Sequence, residues 1–150
     1  MTRAILDQLN IVCGDPAASI AFYRRLGVDI PERQVWRTPT GIHHVSAVDQ
    51  SGEPTIHLDL DSTAFAQAWN TGWAQRGDLR GRVVVGFRVP SREDVDAIYR
   101  DMTGAGYRGL QPPNDAFWGA RYAIIEDPDG LAVGLMSPIS PDRKSPPPRV

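Results

Sequence analysis

Residues 8–26 read QLNIVCGDPAASIAFYRRL, and residues 84–102 read VVGFRVPSREDVDAIYRDM. Set side by side, Gln8 against Val84, the two stretches follow one plan. Ile11 falls on Phe87, Cys13 on Val89 and Asp15 on Ser91. Asp and Ser are both strong N-cap residues, because a short side-chain oxygen can take up an unpaired N–H of the first helical turn. Beyond the caps, Ser19, Phe22, Tyr23 and Leu26 fall on Val95, Ile98, Tyr99 and Met102. That i, i+3, i+4, i+7 spacing is one face of a helix. Pro16 suits the first helical position, where its missing N–H costs nothing. Ser91 followed by Asp94 resembles a capping box. Gly27 closes the first helix, and Gly104 and Gly106 close the second. Each stretch therefore predicts a strand followed by a helix.

Three strand signals follow each helix. In the first half they cover residues 34–38, 43–48 and 55–60, and in the second half residues 107–110, 121–126 and 131–136. The last two strands of each half are joined by a turn, Asp49-Gln50-Ser51-Gly52 and Asp127-Pro128-Asp129-Gly130. Asp first and Gly last, with Pro second in the later copy, is turn chemistry. Each half predicts a βαβββ module. The modules cover residues 5–61 and 82–138, with a connector at 62–81 that holds a short helix over 63–70. Residues 139–150 are rich in proline and charge, and predict a flexible tail.

The size of 150 residues fits a single domain made of the two modules. The net charge is −2, with no basic stripe interleaved with aromatics, so no nucleic-acid partner is expected. No run of 18 apolar residues occurs and residues 1–15 hold no signal-like segment, so the expectation is a cytoplasmic protein with no membrane partner. Cys13 is the single cysteine, which excludes a disulfide framework and a cysteine-based zinc site within one chain. On an apolar strand it reads as a small core residue rather than a nucleophile. No Gly-x-Ser-x-Gly elbow, Walker loop or dinucleotide glycine fingerprint is present.

The strings LNIVCGDPAASIAFYRRLG, VVVGFRVPSREDVDAIY and RYAIIEDPDGLAVGLMSP together resemble the vicinal oxygen chelate superfamily, the glyoxalase, bleomycin-resistance and extradiol dioxygenase group. The resemblance implies an α+β fold in which two tandem βαβββ modules form curved mixed sheets around a cavity. It also implies a small-molecule ligand in that cavity, and a homodimer. Metal-using members place His or Gln on the first strand, Glu on the fourth, His on the fifth and Glu on the eighth. The matching positions here are Gln8, Asp59, Val84 and Gly134. Valine and glycine offer no side-chain lone pair, and Gln with one carboxylate is a poor set for a divalent ion. The expectation is therefore metal-independent binding of a small, partly aromatic molecule, such as a drug, toxin or metabolite, with no cofactor.

The alternative is a metal-dependent lyase, isomerase or dioxygenase with a displaced divalent-metal site. Gln8, His57 and Asp59 would form it, with His43 or His44 joining across the neighbouring strand. A structural reading of Asp59 pairs it instead with Arg88 or Arg121. A third reading is a dimeric accessory domain. No catalytic residue is assigned.

Strand alternation would turn Gln8, Asn10 and Val12 inward, and likewise Val84, Gly86 and Arg88, and Ala132, Gly134 and Met136. The two glycines would then open volume for an organic ligand. Of Trp36, Trp69, Trp73 and Trp118, about half should be core. Phe117, Trp118 and Tyr122 are the first candidates for an aromatic wall. The predicted ligand-binding residues are Gln8, Asn10, His57, Asp59, Arg88, Phe117, Trp118, Tyr122 and Met136.

Overall fold

A computed structural model describes residues 8–48, 56–69 and 83–146, with the side chains of Gln8 and Trp69 left aside. The chain divides into two compact units, Met1–Gly77 and Asp78–Val150. Unit 1 runs β1 (Gln8–Cys13), α1 (Pro16–Leu26), a 3-10 turn (Glu32–Gln34), β2 (Val35–Thr38), β3 (Gly41–Ser46), β4 (His57–Ser62) and α2 (Thr63–Trp69). Unit 2 runs β5 (Val84–Arg88), α3 (Arg92–Gly104), β6 (Gly109–Asp115), β7 (Arg121–Glu126), β8 (Ala132–Met136) and a 3-10 turn (Pro141–Arg143). The sheet orders are β1-β4-β3-β2 and β5-β8-β7-β6. In each, the outer pair β1/β4 or β5/β8 is parallel and the other neighbours are antiparallel. The repeat seen in the sequence is thus a repeat of topology, in two α+β units with mixed four-stranded sheets.

The helix ends form as their residues dictate. Asp15 Oδ1 accepts the N–H groups of Ala17 and Ala18 at 3.0 and 3.1 Å, which satisfies two first-turn donors. Gly27 takes the left-handed conformation (φ 102°) that closes α1. In α3 the Ser91 hydroxyl accepts from the Asp94 N–H at 3.1 Å and donates to the Asp94 carboxylate at 2.6 Å. The reciprocal bond of the box thus returns to the Ser91 hydroxyl rather than to its backbone.

The predicted face of α1 is buried in full: Ser19, Phe22, Tyr23 and Leu26 lie against the sheet, with Ile20 beside them. Phe22 and Tyr23 meet edge to face, 5.0 Å between ring centres. Ile11, Cys13, Ile30, Val45, Leu60 and Ala66 are buried in the same unit. A buried ring such as Phe22 contributes about 1.5–3 kcal/mol over an exposed one. In unit 2, Val95 and Met102 of α3 are buried over Ala123, Ile125, Val133 and Leu135, while Ile98 and Tyr99 are half-buried.

Three strands differ from the sequence reading by two residues or more. β6 runs to Asp115 and includes Pro112 and Pro113, where residues 107–110 were expected. It is the last strand of its sheet, and its register against β7 shifts twice, so prolines without N–H groups cost no ladder bonds there. β3 starts two residues earlier than expected, at Gly41. β4 continues two residues further, to Ser62. The expected turn at 49–52 and Trp73 lie outside the described residues. Residues 140–145 are tied to the 117–119 turn: Ser140 N–H donates to Gly119 O at 3.1 Å, and Ser145 N–H to Phe117 O at 2.9 Å. Among the described residues no helix is long and apolar enough to cross a membrane.

Candidate functional site

One face of the unit 1 sheet is polar. The register sets Gln8 beside His57, Asn10 beside Asp59, Ser46 beside Asp59 and His44 beside Asp61. Alternation puts Asn10, His44, Ser46, His57, Asp59 and Asp61 on the same side. Burial deepens along β4: His57 is exposed, Asp59 half-buried and Asp61 wholly buried. A buried carboxylate needs partners, because desolvation without compensation is costly. Asp61 has two. Asn10 donates its amide N–H to Oδ2 at 2.9 Å, and His44 Nδ1 lies 2.6 Å from Oδ1. The other ring nitrogen, His44 Nε2, lies 3.1 Å from Ser46 Oγ. An aromatic group adjoins this chain of bonds. Phe65 of α2 stands edge-on to His44 at 5.6 Å, and Trp36 edge-on to Phe65 at 5.3 Å. Trp36 is 48% exposed, so it is not a core tryptophan.

His43, one residue earlier on β3, is separately engaged. Its Nε2 meets the hydroxyls of Thr38 and Thr40 at 2.9 Å each, and its Nδ1 meets Ser62 Oγ at 3.2 Å. It borders an open pocket of about 440 Å³ between the start of α1 (Asp15–Ala17) and residues 62–64.

Unit 2 presents an aromatic face. Phe117 and Trp118 meet edge to face at 5.0 Å, and Trp118 and Tyr122 at 5.3 Å. Phe117 is 39% exposed, so this ladder reaches solvent. Arg88, Met136 and Tyr122 stand side by side on three neighbouring strands. Tyr122 leans diagonally across Gly134: a Cβ at Gly134 would lie 2.6 Å from the Tyr122 hydroxyl. Burial pushes the Tyr122 phenol pKa up, since the enclosed ring disfavours the phenolate. The turn carrying Phe117 and Trp118 is braced at its ends. Arg121 binds Asp96 and Asp115, each at 2.9 Å, and Arg92 also binds Asp115. Arg121, foremost, holds the Asp115 carboxyl below its usual pKa.

Of the four positions that match the metal ligands, the two in unit 2 carry no donor side chain. Val84 presents an exposed alkyl group and Gly134 has no side chain. The space a ligand there would enter is taken by the Tyr122 ring. This corrects the expectation that Gly134 opens volume; Gly86 does, with nothing within 4 Å of its Cβ position. His57 and Asp59 share a face as expected. Even so, among the described residues no three His, Cys, Asp or Glu side chains come together in a metal-binding group. His44 is committed to Asp61, not to Asp59. Arg121, one suggested partner of Asp59, is committed to Asp96 and Asp115.

Of the predicted ligand-binding residues, Phe117, Trp118 and Tyr122 come together, with Met136 beside Tyr122 in register and Arg88 beyond it. Asn10 joins the Asp61 network, His57 and Asp59 lie on its face, and Gln8 stands next to His57 in register. The sequence reading missed Asp61, Ser46 and the Trp36–Phe65 pair. The available signal was alternation: Asp61 follows Asp59 by two, and ending the strand at residue 60 hid it.

The profile of the Glyoxalase/Bleomycin resistance protein/Dioxygenase superfamily matches residues 5–135. No curated protein matches the chain. Among solved structures, a glyoxalase/bleomycin resistance protein/dioxygenase family enzyme from Burkholderia phytofirmans PsJN superimposes with a TM-score of 0.71 at 18% identity, covering 89% of this chain and 98% of that one. A glyoxalase/bleomycin resistance protein/dioxygenase from Nocardioides gives 0.66 at 22% identity, covering 93% and 87%. A lactoylglutathione lyase from Agrobacterium tumefaciens gives 0.62 at 18% identity, covering 91% and 96%. At such identities the likeness is one of fold.

Proposed function

The chain belongs to the glyoxalase/bleomycin resistance protein/dioxygenase superfamily, and from that premise we propose that it binds a small, partly aromatic molecule without the metal ion that many members use. The observation that carries this reading is Tyr122 laid over Gly134. The place of a ligating carboxylate is filled by a ring, and that ring continues into Trp118 and Phe117. A flat organic molecule is the partner such a ladder fits, because stacked or edge-on rings gain about 0.5–1.5 kcal/mol beyond the area they bury. Met136 adds a polarizable contact, and Arg88 offers a cation to an acidic substituent.

The test combines metal analysis with a probe. The purified protein is assayed for bound metal and titrated with 8-anilinonaphthalene-1-sulfonate, a flat aromatic anion. The expected result is saturable binding that EDTA leaves unchanged and that Trp118→Ala weakens at least about ten-fold, the worth of 1.4 kcal/mol. One tightly held divalent ion per chain, or probe binding indifferent to Trp118→Ala, overturns the reading.

A further inference from the structure

The polar face of unit 1 sets a carboxylate, an imidazole and a hydroxyl in series. We propose that Ser46 is a nucleophile, activated by His44 and Asp61, that accepts an acyl group from an activated carboxylic ester.

The order of groups is carboxylate, imidazole, hydroxyl. Asp61 Oδ1 lies 2.6 Å from His44 Nδ1, and His44 Nε2 lies 3.1 Å from Ser46 Oγ. A carboxylate at Nδ1 selects the tautomer with its proton there. Nε2 is then a lone pair, and the Ser46 hydroxyl donates to it. These are the relations that define a nucleophile, its base and the group that orients the base. Asp61 cannot swing away, because Asn10 holds its second oxygen at 2.9 Å and the side chain is wholly buried. Asn10 and Asp61 are positioning residues. Ser46 is half-buried, and the His44 side chain is 31% exposed, so the reacting end faces an approachable surface while the orienting end is enclosed.

The step balances without a redox partner. Ser46 Oγ bonds to the ester carbonyl carbon as its proton passes to His44 Nε2. The carbon–oxygen bond to the leaving group then breaks. The departing alkoxide or phenoxide takes the proton from His44 and leaves as the alcohol or phenol, with Ser46 acylated. Phe65 and Trp36, at 5.6 Å from His44 and 5.3 Å from Phe65, supply an apolar surface for an aryl ester. The substrate class is therefore aryl or similarly activated esters.

Full-length protein is treated with 4-nitrophenyl acetate and, separately, with a fluorophosphonate, then read by intact mass and peptide mapping. The expected result is one adduct, on Ser46, with release of about one equivalent of nitrophenolate in the first turnover. Ser46→Ala removes the adduct, and His44→Gln slows its formation at least about 100-fold, the scale of lost base catalysis. Circular dichroism and thermal midpoints are taken for each variant. If His44→Gln does not fold, the site of the wild-type adduct decides alone. No adduct on Ser46, equal labelling of other serines, or labelling unaffected in a folded His44→Gln overturns the proposal. Loss of dye binding at Trp118 leaves this result untouched, so the two readings fail separately.

Discussion

The Tyr122 hydroxyl occupies the space that a side chain on Gly134 would need, 2.6 Å from the position of its Cβ. The two residues are diagonal neighbours on antiparallel strands, since Tyr122 pairs with Met136 and Ile124 with Gly134. Gly134→Ala should therefore cost about 1–3 kcal/mol through overpacking. In a Tyr122→Ala background the same change should cost at least about 0.5 kcal/mol less, because the obstacle is gone. Urea denaturation of the four proteins measures this coupling. Equal costs in both backgrounds would show that Tyr122 does not fill the site.

Asp61 is the one buried carboxylate among the described residues of unit 1. It is wholly buried, and Asn10 and His44 both depend on it. Asp61→Ala leaves two donors without an acceptor and should destabilise the protein by about 3 kcal/mol. Each orphaned donor costs about 1–3 kcal/mol, and the low end applies at His44 because its ring is part-exposed. Asn10→Ala leaves the carboxylate with His44 and should cost about 1 kcal/mol. Denaturation midpoints in which Asn10→Ala costs as much as Asp61→Ala would contradict this ranking.

These two sites also show where sequence reasoning reached and where it stopped. The capped helices and the doubled βαβββ order were legible because caps and a 3.6-residue period are local signals, as at Asp15 and along Ser19–Phe22–Tyr23–Leu26. Their burial followed from that pattern. The Asp61–His44 pair was not legible, because it depends on β4 running to Ser62 and on the register that sets Asp61 opposite His44. Register joins residues far apart in sequence, and no local preference records it. The extension of β6 to Asp115 was not legible either, since it carries Pro112 and Pro113, which the outermost strand of a sheet can admit. Tyr122 was named as a wall residue, but its lean across Gly134 required the cross-strand geometry.

Acid should weaken the structure through two exposed carboxylates with lowered pKa values. Glu32 is held down by Arg37 and then Arg24, and Asp115 chiefly by Arg121. A carboxyl with a depressed folded pKa stabilises the folded state above its unfolded value, near pH 4 for Asp and Glu. That stabilisation is lost as pH falls through the lower folded value. The thermal midpoint should therefore drop from pH 5 towards pH 2, and Arg121→Gln should make the drop shallower, since Asp115 then titrates nearer its ordinary range. Parallel midpoint curves for the two proteins would rule out the Asp115 contribution.

The final segment should matter to the aromatic face more than to the core. Ser140 N–H donates to Gly119 O, and Ser145 N–H donates to Phe117 O, so both bonds end on the turn that carries Phe117 and Trp118. Gly119 is held left-handed at φ 94°, and the Ser140 carbonyl oxygen closes off the space beside its Cα. A side chain at Gly119 is excluded on both counts. Val133 and Leu135, by contrast, are wholly buried on β8, the strand that packs against α3 and β7. Removing residues 139–150 should then leave the far-UV spectrum intact. It should shift the emission of a protein retaining Trp118 as its sole tryptophan to the red, and weaken dye binding about three-fold or more. The warrant is that a turn stripped of two backbone bonds samples more conformations, and ordering it again on binding costs affinity. If emission and dye affinity match those of the full chain, the segment does not brace the aromatic ladder.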